Sequence, residues 1–362
     1  MKAATKGKVL VAMSGGVDSS VAAVLLQEQG YEVCGATMRL WASEEADAAA
    51  GGCCSLASVE DARRVAQRLD IPFYVLNFRD AFREQVVEEF IAEYKAGRTP
   101  NPCIACNRYM KFDLFLQKAL ALGFDYIATG HYAKRQYDAA SDRYYLEVAK
   151  DEHKDQTYAL YNITQQQLAH ILFPLGDLYK EEAREVARRY QLPTAEKAES
   201  QEICFVPDND YRRFLTEEGG LPSVPGVIVN TQGKVLGTHE GIHNYTIGQR
   251  RGIGLTYSEP LYVVAIRPEL NQVVVGTKNE VWTRNLLANR ANLLYWPTEA
   301  EPQLSAKIRY SAPAVPCQVE VLPDQELKVV FDGPVRAATP GQAVVIYHGR
   351  KLVGGGTIQK AW

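Results

Sequence analysis

Apolar residues follow two rhythms that divide the chain. In the first half, short unbroken apolar runs alternate with stretches that repeat every three to four residues. This is the pattern of buried parallel strands joined by amphipathic helices. "KVLVAM" (8–13) predicts a buried strand, followed by a Gly turn and a helix over 19–29 that stops before Gly30. Residues 31–40 predict a second strand. In "SVEDARRVAQRLD" the apolar positions 59, 62, 65, 66 and 69 share one helical face behind a capping box, Ser58-x-x-Asp61. "IPFYVLNF" predicts a third strand, 82–94 a third helix, 111–122 a fourth, and "FDYIATGHY" a further strand. Helical patterning over 156–190 is interrupted by Pro174 and Gly176 and gives way to the loop "LPTAEKAESQEICFVP".

The second half changes character. Residues 217–284 are Gly-rich and strand-like, and 285–362 are almost purely β, with "AKIRYSA", "CQVEVL", "LKVVF" and "AVVIYHG". Alternating strands and helices predict an α/β, doubly wound parallel sheet. A small linker domain and a C-terminal β-barrel follow it. The expected boundaries are 1–216, 217–284 and 285–362. There is no internal repeat, and "EEADAAAGG" (44–52) reads as a flexible loop.

Length and composition fit this division. A chain of 362 residues, 46% hydrophobic and 23% charged, can bury more than one core. No apolar run approaches the ~18 residues of a membrane span. The short run near the N-terminus leads into glycines rather than a cleavage site, so it reads as a strand and not a signal peptide. Seven cysteines, an odd number in a chain too long to need staples, point to a reducing cytoplasm. The net charge of −3 gives no global sign of nucleic-acid binding, so an RNA partner would be held by local patches.

The chemistry begins at "SGGVDSS" (14–20), between a buried strand and a helix, where backbone N–H groups and the helix dipole make an anion site. It lacks the Gly-Lys-Ser/Thr ending of a Walker loop. It instead resembles the SGGxDS pyrophosphate loop of enzymes that split ATP into AMP and pyrophosphate while adenylating a substrate. In that resemblance Ser14, Gly15, Gly16, Asp18 and Ser19 hold the pyrophosphate, with Asp18 a ligand for Mg²⁺. Two further motifs carry sulfur. Cys106 follows "RTPNPCIA", a Pro-broken loop running into the fourth helix, and Cys204 lies in "ESQEICFV". Cations such as Arg98, Arg108 and Lys111 could favour a thiolate there.

"AMSGGVDSSVAA", "GRTPNPCIACNRYMKF", "ATGHYA", "KDQTYALY", "ESQEICFV", "YTIGQRRGIG" and "GQAVVIY" together resemble, in order and spacing, the tRNA-specific 2-thiouridylases. The resemblance spans essentially the whole chain. It implies a first domain of the adenine-nucleotide alpha-hydrolase type. It also implies adenylation of the C2 oxygen of a tRNA wobble uridine, followed by replacement of that oxygen with sulfur. Cys204 would bear the persulfide received from a sulfur donor, such as a cysteine desulfurase or a relay protein. Cys106 would be the nucleophilic partner thiol that releases sulfur or closes a disulfide.

Ala12, Met13, Ser14, Gly15, Gly16, Val17, Asp18, Ser19, Met38 and Gly130 match the family's ATP contacts. Asn101, Pro102 and Cys103 match contacts to the target base. His131, the turn Lys154-Asp155-Gln156, and Arg309, Tyr310 and Gln342 in the barrel match tRNA contacts. Without the resemblance, "DEHKDQ" (151–156) reads as a solvated helix start, and Arg250-Arg251 as phosphate binders or a surface charge pair.

The sequence departs from the family pattern at Cys103, where many relatives carry aspartate. A cysteine there could act as an acid or base. It could also join Cys106 and Cys204 in holding a [4Fe-4S] cluster with one iron open. A zinc knuckle lacks further ligands at closed-site spacing. Cys34 and Cys317 read as packing residues, and Cys53 and Cys54 as structural or incidental. Two other function classes stand beside thiolation: a pyrophosphate-loop ligase acting on a small metabolite, and a tRNA-binding or iron–sulfur scaffold without turnover.

Overall fold

A computed structural model describes residues 5–41, 55–198, 203–206, 208–299 and 301–362. The expected loop 44–52 and the pair Cys53 and Cys54 lie outside the described residues. Contacts divide the chain into two units, residues 1–86, 103–209 and 350–352, and residues 87–102, 210–349 and 353–362.

The first unit is built on a five-stranded parallel sheet. Its strands are β1 (Lys8–Ala12), β2 (Glu32–Arg39), β3 (Phe73–Asn77), β4 (Tyr126–Ala128) and, after a hairpin of β5 (Lys134–Asp138) and β6 (Arg143–Glu147), β7 (Ile171–Leu172). The order is β3-β2-β1-β4-β7, every pairing parallel. The strand order therefore reverses between β1 and β4. That reversal opens a crevice at the carboxyl ends of the strands, where ligands bind in open α/β sheets. Val9 and Val11 on β1 are fully buried and pack with Val21, Ala22 and Val24 of the helix Val17–Glu28.

Several predicted elements shift. The helix Leu56–Arg68 is capped by Ser55, whose side chain accepts from the Ser58 N–H, so the expected box at Ser58 is displaced by one turn. Helical structure in "NPCIACNRYMKF" begins at Pro102, not at Lys111. It runs through Pro102–Ala105, a π-helical stretch Cys106–Leu114 and Phe115–Ala121. Proline suits the first helical position because its missing N–H would be unsatisfied there anyway. Cys103 and Cys106 therefore sit on helical structure rather than in a loop, whereas Cys204 lies in a turn. The stretch 156–190 holds a 3₁₀ turn Thr157–Leu160, helices Gln165–Ala169 and Lys180–Arg189, and the edge strand β7.

In the second unit, the helix Tyr211–Glu217 precedes a four-stranded sheet of β8 (Gly226–Asn230), β9 (Val235–His239), β10 (Tyr262–Arg267) and β11 (Gln272–Gly276). Its order is β10-β11-β8-β9 around a core of Ile228, Val263, Val273 and Val275. β12 (Trp282–Leu293), β13 (Leu304–Lys307), β14 (Val315–Leu322), β15 (Glu326–Arg336), β16 (Ala343–His348) and β17 (Lys351–Ala361) follow. Their order is β12-β15-β14-β13-β16-β17, and β12 pairs with β17 to close a barrel. Closure leaves no free edge among these strands.

Candidate active site

The loop after β1 lies at the strand-order reversal. Met13 is held from both directions along β2: its N–H donates to the Ala36 carbonyl at 2.8 Å, and its carbonyl accepts from Thr37 Oγ1 at 2.6 Å. Gly15 has φ +71°, and a Cβ there would come within 2.2 Å of the Ser58 carbonyl oxygen. Only glycine fits both demands. The Ser14 N–H donates to Ser19 Oγ at 3.2 Å, and Ser19 and Ser20 hydroxyls donate to the Gly16 carbonyl at 3.2 and 2.8 Å. The helix Val17–Glu28 has no side-chain cap at Gly16. A curled loop followed by an uncapped 12-residue helix is the kind of place where backbone N–H groups can receive an anion.

Gly130, at the end of β4, presses on the same loop. A Cβ there would lie 2.6 Å from the Ser19 nitrogen and 2.9 Å from the Asp18 Cβ. Met38 stands near the carboxyl end of β2, so the strand ends bring Ala12–Ser19, Met38 and Gly130 to one edge of one sheet.

Asp18 is part-exposed, and both of its oxygens are engaged. The Lys180 Nζ donates to Oδ1 and Oδ2 at 2.7 and 2.8 Å, and the Tyr132 hydroxyl donates to Oδ1 at 2.9 Å. Sequence reasoning missed both partners. Mg²⁺ typically takes one or two protein carboxylates and completes its shell with waters and substrate phosphates. A single loop carboxylate beside a phosphate site fits that habit.

The expected tRNA turn is anchored rather than solvated. Asp155 is 6% exposed, accepting from the Ala149 N–H at 3.0 Å and the Thr157 hydroxyl at 2.6 Å. Asp151 accepts from the Lys180 N–H at 3.0 Å, and Gln156 Oε1 accepts from the Tyr132 N–H at 3.0 Å. The turn therefore rests on the two residues that hold Asp18. His131 lies against Phe112 and Phe173, with Nδ1 2.8 Å from the Thr129 hydroxyl. Burial, with the Lys111 ammonium beside it, pushes its pKa well below the ordinary imidazole value.

Cys106 is buried, Cys103 exposed and Cys204 half-buried. The turn Arg79–Phe82 packs against the segment Cys106–Leu114. Phe82 also meets Phe205 edge-on, ring centroids 5.7 Å apart. A buried aromatic therefore packs against the residue that follows Cys204. Of the expected activating cations, Lys111 donates to Asn107 at 2.8 Å and Arg108 lies over the Tyr109 ring. Arg98 makes two 2.6 Å hydrogen bonds to Glu93, which raise its pKa. Its charge is already paired. Burial pushes the thiol of Cys34 up to about 11 and that of Cys317 to about 12, so both stay protonated in packed positions.

Among the described residues, no group of three or more His, Cys, Asp or Glu is placed to hold a metal ion. Cys103, Cys106 and Cys204 accordingly do not fit a cluster cradle.

In the second unit, Gln342 Nε2 donates to the carbonyls of Thr99 and Pro100 at 2.9 and 3.1 Å, directly before Asn101 and Pro102. Arg309 donates to the Ile247 and Ala337 carbonyls at 3.2 and 2.8 Å, and Tyr310 is exposed beside it. Arg250 and Arg251 are exposed.

Residues 7–208 match a family model described as tRNA methyl transferase HUP domain. Residues 212–277 match its PRC-barrel domain, and 283–358 an aminomethyltransferase beta-barrel domain. Curated relatives are similar over nearly their whole length. A protein of Carboxydothermus hydrogenoformans is 56% identical over 98% of this chain and 98% of its own. One of Moorella thermoacetica is 54% identical over 97% and 99%, and one of Acetivibrio thermocellus 53% over 98% and 100%. Each of the three is called tRNA-specific 2-thiouridylase MnmA.

Proposed function

The chain belongs to the tRNA-specific 2-thiouridylase family, and from that premise we propose how its residues divide the work. It is a tRNA-uridine 2-sulfurtransferase, carrying out ATP-dependent 2-thiolation of tRNA. The word methyl in the family descriptions names no group the motifs would transfer, whereas a pyrophosphate loop and two cysteine motifs suit adenylation and thiolation. The small-metabolite ligase and the scaffold are set aside.

The observation that carries the residue assignment is the converging loop Ser14–Ser19 at the strand reversal, braced by Gly130. ATP binds with its β- and γ-phosphates on the loop N–H groups, and the adenine side lies toward Met38. Asp18 would hold a Mg²⁺ that enters with the nucleotide, and that ion would supply charge neutralisation at the leaving pyrophosphate. The C2 oxygen of the wobble uridine attacks the α-phosphorus, the bond to pyrophosphate breaks, and the uridine is adenylated. Asn101, Pro102 and Cys103 position the base. Splaying the base out of the anticodon stack costs a few kcal/mol. Phosphate contacts offset that cost, including those from Lys154, Arg309 and Tyr310, with His131, Asp155, Gln156 and Gln342 shaping the surface.

Sulfur arrives from a donor protein as a persulfide on Cys204. The Cys106 thiolate attacks the inner sulfur of that persulfide, forming a Cys106–Cys204 disulfide and expelling the outer sulfur as hydrosulfide. The hydrosulfide adds at C2, and AMP departs with the original oxygen. A cellular thiol then returns two electrons to the disulfide. The three-part division 1–216, 217–284 and 285–362 follows these roles, and a cytoplasmic location follows the reduced cysteines. No helix among the described residues is long and apolar enough to cross a membrane.

The test is anaerobic reconstitution with a wobble-uridine tRNA, ATP and a defined sulfur source. One AMP and one pyrophosphate should form for each 2-thiouridine. Pyrophosphate release that required a small metabolite and ignored tRNA would overturn the assignment.

A further inference from the structure

Lys197, seven residues before Cys204 in the sequence, is fastened to the pyrophosphate loop. Its Nζ donates to the Gly15 carbonyl at 3.0 Å and to Asp61 Oδ2 at 2.6 Å. The two side chains are 29% and 27% exposed, so the ion pair is largely shielded from water. Asp61 is carried by the helix Leu56–Arg68, the same helix whose Ser58 carbonyl lies over Gly15. Two neighbours of Lys197 strengthen the attachment. Thr194 Oγ1 donates to Ser20 Oγ at 3.1 Å, and Arg184 donates to the Ala195 carbonyl at 2.8 Å. Beyond the cysteine, Phe205 is 1% exposed and packs against Phe82 and Trp41.

The contact at Gly15 has a specific electrostatic effect. In a trans peptide the carbonyl of one residue and the N–H of the next point in opposite directions. An ammonium holding the Gly15 carbonyl therefore commits the Gly16 N–H to the other side of the loop, as an anion nest requires. The positive φ of Gly15 makes this peptide orientation accessible, and Lys197 stabilises it.

We propose that Lys197 is a positioning residue: it presets the pyrophosphate loop for ATP by holding the Gly15 carbonyl. Polyphosphate arriving on the N–H side polarises the Gly15–Gly16 peptide and strengthens the pull of its carbonyl on the ammonium. Lys197 shifts between Gly15 and Asp61 in response. This inference rests on reading Ser14–Ser19 as the ATP site.

Lys197→Met, Lys197→Arg and Asp61→Asn test it in the full-length enzyme. Two quantities are read: Kd for Mg·ATP by calorimetry, and KM for ATP against KM for tRNA. Lys197→Met should raise Kd and KM for ATP about tenfold with KM for tRNA within twofold. Lys197→Arg should restore part of that loss. Asp61→Asn, which keeps the contact to Gly15, should retain most ATP affinity and covers the case in which Lys197→Met does not fold. An Asp61→Asn enzyme as weak for ATP as one lacking the ammonium overturns the peptide-orienting role. A Lys197→Met enzyme that binds ATP normally overturns the proposal. Failure of the wild type itself to bind ATP would instead overturn the reading of the loop.

Discussion

Lys180 Nζ lies 2.7 and 2.8 Å from the two oxygens of Asp18, joining the first residue of the helix Lys180–Arg189 to the pyrophosphate loop. Lys180 is 6% exposed, and its own N–H is held by Asp151 at 3.0 Å. An aspartate that would otherwise be free to swing is fixed, with its charge partly balanced before Mg²⁺ arrives.

Replacing Lys180 with Met should therefore affect both stability and nucleotide binding. Removing one partner of a buried pair costs about 3–5 kcal/mol, and the partial exposure of Asp18 reduces this to about 1–3 kcal/mol. The half-saturating Mg²⁺ concentration for pyrophosphate release should change several-fold, because Asp18 loses the cation with which Mg²⁺ competes. Unchanged Mg²⁺ dependence and denaturation midpoint would show that the pair is incidental.

Cys204→Ser should abolish 2-thiouridine formation while tRNA binding and tRNA-dependent pyrophosphate release persist, because adenylation precedes the sulfur step. Cys106→Ser should leave a persulfide on Cys204 that mass spectrometry detects but that is not turned over. Full thiolation by Cys204→Ser would remove the persulfide assignment.

Enzyme purified anaerobically should contain neither stoichiometric iron nor labile sulfide, because Cys103, Cys106 and Cys204 do not form a metal-binding group among the described residues. Cys103→Asp, which restores the residue common in the family pattern, should retain activity within about tenfold if Cys103 acts in proton transfer. Stoichiometric iron lost in Cys103→Asp would reinstate the cluster.

Much of this arrangement was legible in the sequence because it depends on local pattern. The alternating strands, the Gly turn after β1 and the purely β C-terminal part all follow from periodicity and turn chemistry. What escaped was long-range or carried by polar residues. The hairpin β5–β6 reads "KRQYD" and "RYYLE", too charged to signal a strand. Asp151 and Asp155 read as solvated, yet they are buried because each accepts backbone N–H groups across a turn. Lys180 and Lys197 look like surface lysines. Their partners, Asp18 and Gly15, lie more than 150 residues away in sequence, and only the folded first unit brings them near.

Acid should destabilise the protein below about pH 6.5. Burial lowers the pKa of His131, with Lys111 contributing; burial likewise lowers His239, and it lowers His243 together with the charges of His239 and Arg212. The unfolded chain therefore takes up these protons at a higher pH than the folded chain does. Stability is fully present above the unfolded value of 6.5 and is lost as pH falls toward the folded values. His243→Phe should flatten the slope of denaturation midpoint against pH between 6.5 and 5. An unchanged slope would exclude His243 as a source of the acid sensitivity.

Gln342 separates two ways of affecting RNA. By resemblance it contacts tRNA, yet its Nε2 donates to the carbonyls of Thr99 and Pro100, immediately before the residues expected at the target base. If its role is to hold that backbone, Gln342→Ala should lower stability by about 1–2 kcal/mol, since two carbonyls lose their partner at about 1 kcal/mol each. KM for tRNA should rise several-fold, KM for ATP should stay unchanged, and the steepness of the salt dependence of tRNA binding should be kept, because no phosphate contact is removed. A raised KM for tRNA with full stability would instead assign Gln342 to direct RNA contact. If neither quantity moved, the residue would have no part in recognition.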